Sequence, residues 1–471
     1  MARDIRLIRS PVSVAGMVLT TISAVLFLIV FLADLFGLHT NPYIGIVFFL
    51  VLPALFLVGL ALIPLGAWLA RRRRLAGREP MQVRWPVVDW NNPTHRWASV
   101  LAFVLTMSNI VIVSLAAFRG VEYMDSEAFC GQVCHQPMKP QFVTHQNGPH
   151  ARVACVACHV GPGAASFAES KVSGVRQLVS LTRGTYPRPI PAPVRNMRSA
   201  AETCEGCHSP EAFHGDKTVR AVEFAEDAQN TETVSTLRIH VGGGSERVGV
   251  TMGIHWHMNV GNQVEYIAAD PTRTTIPYVK VTNRFGKVSE YTTAAATPEL
   301  LATGERRRMN CMDCHNRSGH PVAATPERAV NELMARGDIP RTLPFIRREA
   351  VKALKQSVPS EEAGVAAIAA SLLGFYQSRG EQDFAAARAD VDRAIRATQN
   401  LLRRNVFPEM RTGFGTYPSH IGHVDTPGCF RCHDDEHVLR RAQDGLLPQA
   451  QDKGVERKTI GQDCETCHAI E

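Results

Sequence analysis

Six cysteine pairs, each followed at once by a histidine, carry the chemistry of this 471-residue sequence: Cys130/Cys134/His135, Cys155/Cys158/His159, Cys204/Cys207/His208, Cys311/Cys314/His315, Cys429/Cys432/His433 and Cys464/Cys467/His468. These pairs use all 12 cysteines, so none is left for a disulfide. Zinc ribbons and disulfide frameworks also use paired cysteines, but neither requires the adjacent histidine. Given 18 histidines in the chain, six such followers by chance have odds on the order of 10⁻⁹. In the c-type haem motif the two thiols form thioethers to the porphyrin edge, which holds the next histidine beneath the iron as an axial ligand. The sequence therefore predicts six covalent haem c groups. The first sits on a pair spaced by three residues where the others have two.

A low-spin haem needs a sixth ligand, usually a second histidine or a methionine. Outside the motifs the candidates are His145, His150, His214, His240, His255, His257, His320, His420, His423 and His437, with Met138 three residues after His135. His255 and His257 flank Trp256 in a predicted strand, which points both to one face, one toward an iron and the other toward a propionate. His320 and His437 follow their nearest motifs closely and are expected to serve neighbouring haems.

Haem of this type is attached outside the cytoplasm, so the chain must place these motifs across a membrane. Apolar runs at 12–38, 44–69 and 98–118 are each long enough to span a bilayer. Three crossings put the N-terminus and Arg71, Arg72, Arg73 and Arg74 inside and residue 119 outside, as positive-inside charge bias prefers. The inside segments hold ten basic residues against Asp4, Glu79 and Asp89, which accounts for the whole formal net charge of +7. The external part is thus neutral before its propionates are counted, and nucleic-acid binding finds no support. Only 12 positions separate Phe118 from Cys130, which sets the first motif at the membrane surface. Asp34 and His39 read as interfacial residues near the outer end of the first span, and Pro53 and Pro64 are expected to loosen the second.

Beyond the anchor, residues 167–181 have helical spacing, and the proline-rich run 186–194 reads as an extended connector. Alternating stretches at 236–240, 248–257, 263–267 and 278–282 predict a small β-rich module. The next haem-free interval is helical, starting at Thr325-Pro326-Glu327 and continuing over 347–356, 361–377 and 384–405. The predicted fold is a multihaem cytochrome c, with three N-terminal transmembrane helices before a mixed, mainly α haem domain with a β-rich insert. Its divisions are 1–118 (anchor), 119–208 (haems 1–3), 209–310 (β-rich module), 311–428 (haem 4 and helices) and 429–471 (haems 5 and 6).

Residues 127–177 resemble the NapC/NirT family of membrane-anchored multihaem cytochromes. The likeness is carried by Phe129-Cys130, Met138-Lys139-Pro140-Gln141, Gly148-Pro149-His150 and Cys155-Val156-Ala157-Cys158-His159-Val160. It implies quinol oxidation near the first haem, with Met138 beside that haem and Lys171, 12 residues after His159, contacting quinol. Met138 stands one residue later than the family pattern, and Leu178 occupies the place of the family's carboxylate. Proton acceptance then falls to Glu169, Asp125 or water. The longer architecture is similar to inner-membrane quinol-oxidising cytochromes of metal-respiring bacteria, through Gly253-Ile254-His255-Trp256-His257, Asp313-Cys314-His315-Asn316-Arg317 and Gly428-Cys429-Phe430-Arg431-Cys432-His433.

The expected function is a quinol dehydrogenase of the bacterial inner membrane, its haem domain in the periplasm, passing electrons to a periplasmic cytochrome or reductase. Two alternatives stay open: a non-catalytic conduit within a larger complex, and a terminal reductase whose open haem binds nitrite or a similar oxyanion.

Overall fold

A computed structural model describes residues 10–35, 51–77, 89–133, 135–161, 163–194, 197–209, 212–245, 249–251, 253–258, 261–283, 285–442, 445–446 and 459–470. The chain divides into two compact units, one of Met1–Ser126 with Val160–Val179, the other of Glu127–His159 with Ser180–Glu471.

The first unit is helical: Pro11–Leu35, Leu52–Leu75, Pro93–Met124 and most of Ala164–Thr182. Small residues decide how the first two helices meet. Ser13 Oγ donates to the Ile63 carbonyl at 2.9 Å. A Cβ on Gly16 would lie 2.7 Å from the Gly59 carbonyl oxygen, and one on Gly59 would lie 2.5 Å from Thr20 Oγ1. Backbones this close need side chains no larger than Ser, Thr or Gly, which is how helices associate where lipid removes the hydrophobic driving force. The large apolar side chains Val18, Ile22, Leu57, Val58 and Leu60 are left exposed on the outer faces.

Three crossings were expected, and the structure supports fewer. Among the described residues one stretch, Ala54–Leu75, is long and apolar enough to cross a bilayer. The helix Pro93–Met124 holds the third run. Pro53 lies in the first turn of Leu52–Leu75, where its missing N–H costs nothing, and Pro64 lies inside that helix. Arg72, Arg73 and Arg74 close its last turn, where the helix dipole favours cations. His39 lies outside the described residues, as does the side chain of Asp34.

The second unit is mainly helical with small antiparallel sheets. One sheet orders Asp216–Phe224, Glu232–His240 and His468–Ile470; its hairpin runs in register from Asp216 opposite His240 to Phe224 opposite Glu232. A six-stranded sheet orders Gly445–Leu446, Val438–Ala442, Val288–Thr292, Tyr278–Thr282, Gln263–Ile267 and Arg306–Arg308. Alternation located Gln263–Ile267 and Tyr278–Thr282. The predicted strand at 248–257 instead shrinks to Gly249–Thr251, and His257 sits in the 3₁₀ turn Trp256–Met258.

Four helices, Pro326–Arg336, Ile346–Leu354, Glu361–Gln377 and Glu381–Asn405, build the principal core. Thr325 caps the first by accepting from Arg328 N at 3.2 Å, and Ser360 caps the third by accepting from Ala363 N at 3.2 Å. Val330, Met334, Ile346, Ile368, Leu372 and Val391 are fully buried between them. This core carries no haem motif. It braces segments that do: Lys139, in the helix His135–Gln146, pairs with Glu361 at 2.8 Å and Glu409 at 3.4 Å. Asn230, in the loop of the β-hairpin, donates to the carbonyls of Arg341 and Leu343.

Candidate haem centres

Each two-residue motif folds as a single helical turn, which explains its spacing. Cysteines at i and i+3 and a histidine at i+4 fall on one face of such a turn. The histidine N–H closes it: His208 N to Cys204 O and His315 N to Cys311 O, both 2.8 Å, and His433 N to Cys429 O, 3.1 Å. The turns are capped locally. Asn310 Oδ1 accepts from Met312 N while Asp313 Oδ2 accepts from Asn310 N, and Asp463 accepts from Glu465 N. The longer first motif begins in a π-turn, Phe129–Val133, which takes up its extra residue. A Cβ on Gly131 would come within 2.1 Å of the Phe142 ring, so only glycine admits this turn against the following helix. Cys134 and the side chain of His135 lie outside the described residues.

Five motif histidines face a second imidazole. The ring centres are 6.1 Å apart for His159 and His320, 6.0 Å for His208 and His150, and 6.2 Å for His315 and His255. They are 5.9 Å apart for His433 and His257 and 6.1 Å for His468 and His423. Two imidazoles on one iron place their ring centres about 6 Å apart, given about 2.0 Å for each Fe–N bond and about 1.1 Å from nitrogen to ring centre. The residues present therefore fit haem c at these five motifs. Six haems were expected; the described residues support five, because the first motif is described only in part. The outer hydrogen bonds agree. Nδ1 of His150 donates to Ser318 O, of His255 to Val241 O, of His257 to Ile254 O, of His320 to Gln141 O and of His433 to Gly461 O, at 2.8–3.1 Å. A proton fixed on Nδ1 leaves Nε2 with its lone pair for a metal.

The attachment cysteines differ in setting. Cys130 and Cys155 are in thiol hydrogen-bonding contact, as are Cys204 and Cys311. Burial pushes the Cys314 thiol up to about 11 and the Cys432 thiol up to about 12. Cys207 departs from the half-buried setting of its partner Cys204: it is exposed, as are Cys429 and Cys464. The reason is local. The short helix Ala200–Thr203 runs directly into the turn, Cys207 N donates back to Cys204 O at 3.1 Å, and Glu205, Gly206 and His208 around it are exposed as well. The third motif thus lies at the surface with only Cys204 turned inward, where its thiol meets Cys311.

Other candidates fall elsewhere. His437 is fully buried, with Nδ1 on Asp434 Oδ1 at 2.8 Å and Nε2 on Ile276 O at 2.7 Å; both nitrogens are engaged, which makes it a core residue and not a ligand. His420 donates from Nε2 to Thr272 O, and His240 binds Asp216 through Nδ1. His214 is exposed and belongs to none of the five pairs. His145 is buried beside His320, ring centres 5.9 Å apart. His255 and His257 do not share one face: they meet different motif histidines.

Of the residues implicated in quinol chemistry, the structure joins two. Lys171 Nζ lies 3.8 Å from Asp125 Oδ1, a buried oxygen that no hydrogen bond reaches. Glu169 is exposed, as is Leu178. Met138 is half-buried in His135–Gln146. A cavity of about 680 Å³ beside the first motif is lined by Gly131, Gln132, Gln136, Lys139, Phe142 and Glu409.

The motif reading missed one buried network. Asp313, inside the fourth motif, accepts from Tyr266 OH at 2.6 Å and from Arg273 Nη1 at 2.7 Å. Arg431, inside the fifth, donates to the carbonyls of Gly428, Arg273 and Asp313. A charged residue between motif cysteines is its only trace in the sequence.

No family model matches the chain, so membership of NapC/NirT is not confirmed, and no solved structure matches it. Among curated proteins it is 36% identical over 463 residues to the cytochrome c-type protein ImcH of Geobacter sulfurreducens, covering 98% of this chain and 88% of that one. Five two-residue motifs with paired imidazoles, together with this identity over almost the whole length, place the chain in the ImcH family of c-type cytochromes.

Proposed function

We propose that this chain is a quinol dehydrogenase of the bacterial inner membrane that feeds electrons to a periplasmic cytochrome or reductase. The observation that carries the electron-transfer part is the second imidazole opposite each of five motif histidines. Haem, when bound, supplies one-electron chemistry, and two imidazoles leave its iron no position for a substrate. A terminal oxyanion reductase needs such a position. The proposal retains six haems, the first on Cys130, Cys134 and His135 with Met138 nearby, and a multi-pass anchor in which Pro11–Leu35 and Pro93–Met124 join the span at Ala54–Leu75.

The quinol part rests on the Lys171–Asp125 pair. Lys171 Nζ hydrogen-bonds a quinol oxygen and lowers the cost of its deprotonation, and Asp125 Oδ1, without a hydrogen bond of its own, accepts the proton. Each quinol gives up two electrons and two protons, the protons passing to the outer side. Asp125 takes the role of the carboxylate whose family place is held by Leu178.

Menaquinol-driven reduction of the purified holoprotein, titrated with a quinone-site inhibitor, tests this reading. Lys171→Leu should abolish quinol-driven reduction while dithionite reduces the protein as before. Unchanged quinol oxidation would remove lysine from the site. A wild type that dithionite reduces and quinol does not would leave the protein a conduit.

A further inference from the structure

The segment His255-Trp256-His257 sends its two imidazoles to two different motifs, and its construction shows why. The turn comes after the short strand Gly249–Thr251 and packs on the end of strand Glu232–His240 at Gly253, which has a φ of +143° and where a Cβ would lie 2.5 Å from His240 O, so that glycine alone is admitted. Ile254 N then donates to His240 O at 2.9 Å and His255 N to Val241 O at 3.0 Å, which ties the turn to the strand end. In an extended strand residues two apart face the same way. Here the chain enters a 3₁₀ turn at Trp256, so His257 swings away from His255.

We propose that His255 and His257 are the sixth ligands of two successive haem irons, those of the fourth and fifth motifs, and that the strap between them fixes the two irons as a pair with different ligand geometry. This deepens the reading of the chain as a c-type cytochrome and rests on it. Each imidazole binds through Nε2; the ring proton is already on Nδ1, so coordination moves neither proton nor electron.

The two sites differ in the angle between their rings. His255 and His315 are inclined by 5°, and Phe213 stacks on the outer face of His255 at 4.5 Å, extending the parallel set. His257 and His433 cross at 87°, and Trp256 holds the His257 ring edge-on at 5.8 Å. Asn262 Nδ2 donates to Trp256 O at 3.2 Å and fixes the strap between its two ligands. Parallel imidazole planes split the iron dπ orbitals along one direction and give a rhombic low-spin signal. Crossed planes leave those orbitals nearly degenerate and give a highly anisotropic one. Axial ligands are among the levers by which a protein sets haem potential, so neighbouring haems on one strap are electronically unlike. Arg431 in the fifth motif donates to the Asp313 carbonyl in the fourth, fastening the same two sites from the opposite ligand side.

The test uses ferric holoprotein, with porphyrin content by mass spectrometry, electron paramagnetic resonance and near-infrared magnetic circular dichroism. His255→Met and His257→Met each keep a ligating side chain. Each should retain the full porphyrin complement and convert one bis-imidazole haem to His/Met, and the double variant should convert two. His255→Met should lower the rhombic signal and His257→Met the highly anisotropic one. A double variant that converts only one haem, or none, overturns the proposal. Wild-type protein showing rhombic signals alone overturns the crossed geometry without any variant. Protein lacking covalent porphyrin would instead refute the cytochrome reading beneath it.

Discussion

Arg431 donates through Nη2 to the carbonyl oxygen of Asp313 at 2.7 Å, bolting a residue inside the fifth haem motif to one inside the fourth. The guanidinium is buried and meets three backbone carbonyls, while the Asp313 carboxylate is taken by Tyr266 and Arg273. Removing either side strands polar groups in the interior. Arg431→Met should destabilise the holoprotein by about 3 kcal/mol, the usual cost of leaving buried partners unmatched. Thermal unfolding should show it as a lowered midpoint with the porphyrin count unchanged.

Asp125→Asn keeps the size of the side chain beside Lys171 and removes its ability to accept a proton. Quinol-driven reduction should fall by about 100-fold or more, within the usual range for a lost general base. Stopped-flow reduction with a menaquinol analogue, set against dithionite on the same sample, reads the ratio. A fall confined to quinol is the expected result, and an unchanged rate would assign the proton to Glu169 or water.

Gly59→Leu tests the small-residue contact between the first two helices. Its Cβ would start 2.5 Å from Thr20 Oγ1 and 2.8 Å from Thr20 N, so the helices must separate. A loss of about 1–3 kcal/mol is the scale for overpacking such a contact, and Gly59→Ala should lose less. Unfolding of the detergent-solubilised holoprotein checks the ranking of the two variants.

His420 gives the protein an acid-side limit. Burial drives its pKa down to about 4 from the ordinary 6.5. The unfolded chain binds this proton at higher pH than the folded one, so stability is lost as pH falls through the window between those values. His420→Gln keeps a donor for the Thr272 carbonyl and should flatten the decline in melting temperature between about pH 6.5 and pH 4. Paired melts of the two proteins across that window measure the difference.

Much of the site was legible because the haem motif is local. A single turn places its cysteines and histidine, and local rules also found the helix start at Thr325-Pro326-Glu327. What stayed hidden is tertiary. His423 and His468 lie 45 positions apart and meet only because the chain returns. Val438–Ala442, with two arginines in five residues, offers no alternation, yet it lies beside Val288–Thr292 because the sheet edge there is open to it. His255 and His257 have the alternation of a strand, and Gly253 turns the backbone before a strand can form. The motif spacing treats Cys204 and Cys207 alike, and only the packed chain separates a half-buried thiol from an exposed one. His437 looked available by its distance from His433, but Asp434 and Ile276 claim both nitrogens.

Touching thiols from different motifs, Cys130 with Cys155 and Cys204 with Cys311, set a hazard during biogenesis. In an oxidising compartment such neighbours are one oxidant away from a wrong cross-link, and a cross-linked sulfur can no longer capture a vinyl group. Wherever these sulfurs are to hold porphyrin in such a compartment, it has to be captured before the chain compacts. The closeness of these sulfurs is what makes the order of assembly strict.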